Sequence, residues 1–118
     1  MIANCIVSAL ANEAGRFMKS RERLLDEFIL EAASNDFESF QCILDQVTKW
    51  CDEKGLRTSR QKVLEALQRV IREGYALTYL LSPQEPHSQT VEFSPDHVDD
   101  FWFHVTPKGR ELVISLHD

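Results

Sequence analysis

The chain has 118 residues, of which 43% are apolar and 27% charged. That is room for one folded core and not two, with too many apolar residues for disorder along the whole chain. A net charge of −6 speaks against a surface built throughout to coat nucleic acid, so the placement of the charges matters more than their sum.

Residues 2–17 mix apolar and small residues and predict a short helix, an N-terminal extension (1–18) to a domain over 19–118. Their apolar run is short and interrupted, without the basic leader of an export signal, and nothing later approaches a membrane span. The expectation is a cytoplasmic protein with no membrane contact. A helix carrying Ile2, Ile6, Val7 and Leu10 needs cover, from its own domain or from a second copy, so a homodimer is expected. Cys5, Cys42 and Cys51 form no Cys-x-x-Cys pair. Cys42 and Cys51 fall on one predicted helix, about 13 Å apart along its axis. That exceeds the reach of a disulfide, so all three are read as reduced thiols.

Ser20 stands where it can cap the next segment, in which Leu24, Leu25, Phe28, Ile29 and Ala32 recur at helical spacing. Arg21, Arg23, Asp26, Glu27 and Glu31 take the opposite side. Asn35 followed by Glu38 has the spacing of a capping box and predicts a restart there. Phe40, Ile43, Leu44, Val47 and Trp50 or Cys51 make the next stripe, which Gly55 ends as a left-handed residue. Thr58 or Ser59 caps a third main helix, where Val63, Leu64, Leu67, Val70 and Ile71 share one face and Gly74 repeats the stop.

The period then changes. "YALTYLL" predicts a strand. "SPQEPHSQTVEFSPDHVDD" holds three of the four prolines and predicts a long irregular excursion, with "TVEF" as a brief strand inside it. "FWFHV" predicts a second main strand. Thr106 caps a last helix with Pro107 at its first position, where the missing N–H does no harm. In this reading Gly109 gives slack at that turn, and Lys108 and Arg110 are solvated and free to touch phosphate.

Two antiparallel strands after a three-helix unit make a winged helix-turn-helix. "SRQKVLEALQRVIREGYALTYLL" resembles a recognition helix running into a first wing strand. "FWFHVTPKGREL" is similar to the strand-then-"LTPKGREL" ending of winged-helix transcriptional regulators of the MarR and PadR type. The resemblance covers roughly residues 37–113. It implies a mainly α fold with a small antiparallel hairpin, an extra N-terminal helix and a C-terminal helix. It also implies a DNA-binding regulator.

The charges bear on that. Lys54, Arg57, Arg60, Lys62, Arg69 and Arg72 face a single acid, Glu65, across residues 54–72, a local excess of +5. Gln and Arg can read base edges, and Lys and Arg can hold phosphates. The expected double-stranded-DNA contacts are Arg57, Ser59, Arg60, Gln61, Lys62, Gln68, Arg69 and Arg72. The wing argues otherwise, since Tyr75 to Thr106 holds no Lys or Arg. Glu85, Glu92, Asp96, Asp99 and Asp100 there would repel a duplex. The alternative is a winged helix used for protein–protein contact through the acidic 83–100 loop, with Phe93, Val98, Phe101 and Trp102 nearby. His97 among Asp96, Asp99 and Asp100 could attract a cation, but no zinc-ligand spacing is present. No nucleophile motif, P-loop or dinucleotide fingerprint occurs, so neither an enzyme nor a cofactor is expected.

Overall fold

The structure is a computed structural model and describes residues 21–116. The expectations for residues 1–18, including the dimer arm, Cys5 and the Ser20 cap, lie outside the described residues. Within them the fold is mixed: five helical segments and one four-stranded antiparallel sheet. Helix α1 is Arg21–Ala32, strand β1 Glu38–Ser39, α2 Phe40–Glu53 and α3 Arg60–Arg72. Strands β2 (Ala76–Leu81) and β3 (Ser88–Val91) follow, then a 3-10 segment Pro95–Asp100, strand β4 Trp102–Val105 and helix α4 Pro107–Leu116. No helix among the described residues is long and apolar enough to cross a membrane.

The helices form where the apolar spacing places them. Ile29 and Leu30 of α1, Phe40, Ile43 and Val47 of α2, and Val63, Leu67 and Val70 of α3 are essentially inaccessible and meet in one core. Both predicted stops hold. Gly55 has φ +71°, and Leu56 N–H donates to Cys51 O at 2.8 Å, closing the last turn of α2. Gly74 does the same for α3, with Tyr75 N–H donating to Val70 O at 2.9 Å. Ser59 is the α3 cap, its hydroxyl accepting from Lys62 N–H.

The capping box at Asn35 and Glu38 does not form. Ser39 caps α2, accepting from Cys42 N–H at 3.2 Å, and Glu38 lies in β1. The reason is tertiary: Glu38 and Ser39 stand opposite Phe103 and Trp102 of β4, which holds this stretch extended. On α1, Asp26 and Glu27 are not a solvated face either. Glu27 is buried beside Arg23, and Asp26 turns toward α3.

The sheet is larger than the expected hairpin, so "mainly α" is corrected to a mixed fold. Its order is β1-β4-β2-β3, with β4 between β1 and β2. Ala76 stands opposite Val105 and Thr78 opposite Phe103, and these four are buried against the helices. The excursion after β2 holds the expected brief strand, placed two residues earlier than "TVEF", at Ser88–Val91. It turns back at once, and β3 pairs with β2 from Leu81↔Ser88 to Thr78↔Val91. The 3-10 segment then returns to the core because its apolar residues have somewhere to go. Val98 and Phe101 are buried, and Phe93 packs between Phe101 and Phe103 at 6.2 and 5.9 Å. Of the four apolar residues expected near the acids as a contact surface, only Trp102 is well exposed.

The Thr106–Arg110 turn is a clamp, not slack. Thr106 N–H donates to Tyr75 O at 3.0 Å, and its hydroxyl donates to Gly74 O and accepts from Gly109 N–H. Gly109 is buried against Tyr75. Lys108 donates to Glu73 O at 2.9 Å and lies over the Tyr75 ring, while Arg110 donates to Ser34 O at 2.7 Å. The Lys-Gly-Arg run thus ties α4 to the ends of α1 and α3; Lys108 and Arg110 remain exposed, as expected, while each holds a backbone carbonyl.

Candidate nucleic-acid interface on the third helix

Helix α3 buries Val63, Leu64, Ala66, Leu67 and Val70. At 100° per residue the opposite side is centred on Glu65, flanked by Gln61, Gln68 and Arg72, with Lys62 and Arg69 along the edge nearest α1. The structure brings most of the expected contact residues onto or beside this side but gives them different surroundings.

Arg57, Lys62 and Arg72 are exposed, as is Lys54. None of these four side chains has a hydrogen-bond or ion-pair partner among the described residues. Ser59 is engaged as the cap. Gln61 donates to Glu65 at 3.1 Å, which partly screens the acid at the centre of the face. Gln68 is half-buried.

Arg69 faces back into the protein. It pairs with Asp26 of α1 at 2.8 Å and reaches Glu22 O at 3.4 Å, with both charged side chains about three-quarters covered. Burial pushes the Asp26 carboxyl above its ordinary range even though the Arg69 hydrogen bond pulls it down. That hydrogen bond in turn raises the Arg69 pKa. The guanidinium therefore stays charged, and its charge is spent on joining α1 to α3. Arg60, at the start of α3, pairs with Asp99 of the 3-10 segment at 3.2 Å and lies over the Phe40 ring at 5.1 Å.

That pair places the acidic segment. Asp99 sits at the N-terminal end of α3, the part of a reading helix that enters the major groove. Asp96 and Asp100 are exposed on the same 3-10 turn. Glu85 belongs to the separate turn between β2 and β3, with His87 at 3.6 Å. His97 lies 3.8 Å from Asp100. No group of three or more metal-ligating side chains is assembled among the described residues.

A cleft of about 260 Å3 opens between α1, the end of α2 and α3, lined by Leu25, Cys51 and Leu56 together with Arg57, Lys62 and Arg69. Cys51 is buried, and burial, with a smaller effect of Asp52, pushes its thiol up, so it is a packing residue rather than a nucleophile. Cys42 is exposed on α2.

The partners of Arg60 and Arg69 were not legible locally, because Asp99 and Asp26 lie 39 and 43 residues away. Compared with known protein families, curated proteins and solved structures, the chain matches none of them.

Proposed function

We propose that this chain is a winged-helix domain that works by holding a protein partner, with the acidic stretch between β2 and β4 as part of the contact. The winged-helix reading is supported by the order of α1, β1, α2 and α3, followed by β2 and β4 paired antiparallel with β1 alongside. The added strand β3 and the 3-10 segment fill what would be the wing.

One observation carries the preference for protein over DNA: the Asp99–Arg60 pair sets an acid at the N-terminal end of α3. A duplex approaching that end would meet Asp96, Asp99 and Asp100, whose repulsion no wing cation offsets, since Tyr75 to Thr106 contains no Lys or Arg. The same acids suit a partner with a cationic rim, which they would steer and orient.

The DNA reading has its own support in Lys54, Arg57, Lys62 and Arg72, whose side chains are exposed and unpaired among the described residues around α3. A labelled duplex titrated by anisotropy at about 50 mM salt, where electrostatic attraction is strongest, separates the two. The protein-contact reading expects no saturable binding. Saturable binding that Lys62→Ala with Arg72→Ala weakens would refute it and make α3 a DNA-reading helix.

A further inference from the structure

Residues directly opposite in an antiparallel sheet share a face, and successive residues alternate. One face of this sheet is therefore the core side already described. The other carries Leu77 opposite His104, Tyr79 opposite Trp102 and Thr90, Leu81 opposite Ser88, and Ser39 opposite Trp102. None of these residues is an acid, Lys or Arg. A sheet with one solvated face ordinarily alternates apolar with polar. Here the outward positions of β2 are Leu, Tyr and Leu. Leu77, Leu81 and Trp102 are 38%, 37% and 37% exposed, large values for side chains of this size. Phe37 extends the patch from the loop before β1, its ring 4.9 Å from Tyr79 and 5.5 Å from His104.

The surroundings of the patch are acidic. Asp36 precedes Phe37 and binds its N–H at 2.7 Å. Glu85 lies in the turn that follows Leu81, and Asp100 stands two residues before Trp102, while Asp99 is turned to Arg60 on the helix side. An apolar, aromatic centre inside a charged rim is the anatomy of a protein interface. Because Asp36, Glu85 and Asp100 beside the patch are all acids and the chain is −6 overall, a second copy would bring like charges together. We infer that the outer face of the sheet is the docking site for an amphipathic partner segment, apolar along one strip and flanked by Lys and Arg. This inference rests on the protein-contact reading and adds to it the apolar centre of that interface.

The chain supplies its own probe. Its two tryptophans are Trp50 and Trp102, so Trp50→Phe in the full chain leaves Trp102 as the sole reporter on the face. The titrant is a synthetic helix-forming peptide of leucine and lysine at helical spacing, compared with its leucine–glutamate counterpart. The expected result is a blue shift of Trp102 emission with the lysine peptide only. The charge-neutral pair Leu77→Ser and Leu81→Ser should weaken binding at least about tenfold with an unchanged melting midpoint. If the serine variants bind as tightly as the parent while Asp96→Asn with Asp99→Asn and Asp100→Asn abolishes binding, the inference is overturned and the acidic-segment reading stands. If neither peptide binds, both are overturned. A concentration-dependent dimer in sedimentation that Leu77→Ser disperses would make a second copy the occupant. A Trp102 shift on replacing Ile2, Ile6 and Val7 by Ser would make the chain's own N-terminal segment the occupant. Either result overturns the inference.

Discussion

Replacing Gly109 by Ala sets two effects of opposite sign against each other. Gly109 lies in the first turn of α4, and in a helix Ala is favoured over Gly by about 1 kcal/mol. Were Gly109 only a flexible turn residue, Gly109→Ala would raise stability by that amount. The structure predicts the reverse. A Cβ at this position would overlap the Tyr75 carbonyl oxygen, with the carbonyl carbon at 3.0 Å and Tyr75 Cα at 3.3 Å. All three atoms are backbone, so no side chain can swing aside. Relief requires α4 to lift off the end of α3, which strains the Thr106 N–H bond to Tyr75 O and the Thr106 hydroxyl bond to Gly74 O. Overpacking of this kind costs roughly 1–3 kcal/mol, and two weakened hydrogen bonds add about 1 kcal/mol each. Against the helix-propensity gain, the net expectation is a loss of about 2–4 kcal/mol. Urea unfolding of wild type and variant measures it through the midpoint at constant slope. Gly55→Ala is the control, because nothing lies within 4 Å of its added carbon and only the left-handed backbone, φ +71°, penalises it, by roughly 1–2 kcal/mol. A Gly109→Ala variant more stable than wild type would refute the clamp.

Three further outcomes are expected. Leu67 is fully buried in α3, so Leu67→Ala should cost roughly 2–5 kcal/mol in the same unfolding assay, and an unchanged midpoint would contradict the core. The Thr78 hydroxyl is buried on the core side of β2 without a hydrogen-bond partner among the described residues, so Thr78→Val should stabilise by about 1 kcal/mol, read as a higher midpoint. Asp26 has a folded pKa raised from 3.8, so its contribution to stability is fully present below that value and falls as pH rises through the folded pKa. The melting-temperature difference between wild type and Asp26→Asn should therefore shift against wild type across that window, and a shift in its favour would mean that pairing with Arg69 outweighs burial.

The helices and main strands were legible because their signals are local. The stripes of α1, α2 and α3, the two left-handed glycines and the change of period after Gly74 all lie within a few residues of what they determine. Strand β1 was not legible, since Glu38 and Ser39 are extended only because Phe103 and Trp102 arrive beside them. The same holds for the return of the 3-10 segment onto Phe103, and for Arg60 and Arg69, which local spacing assigned to an open face while distant acids claim them. The apolar outer face did leave a trace. "LTYLL" carries large side chains at both alternating positions, which a sheet covered on one side only does not require.

The place of β4 has a consequence for how the chain reaches this fold. It is the last strand among the described residues, yet it joins β1 to β2 within the sheet. Until residues 102–105 have been synthesised, β1 has no partner, and β2 with β3 is a lone hairpin, marginal in water. The helical part can begin to collapse on the ribosome, but the sheet must then close in one late, long-range step, the kind of event that slows folding. During that interval both apolar sides of β2 stand open to other nascent chains. A growing polypeptide stalled just before Trp102 is therefore the species of this protein most in need of a chaperone.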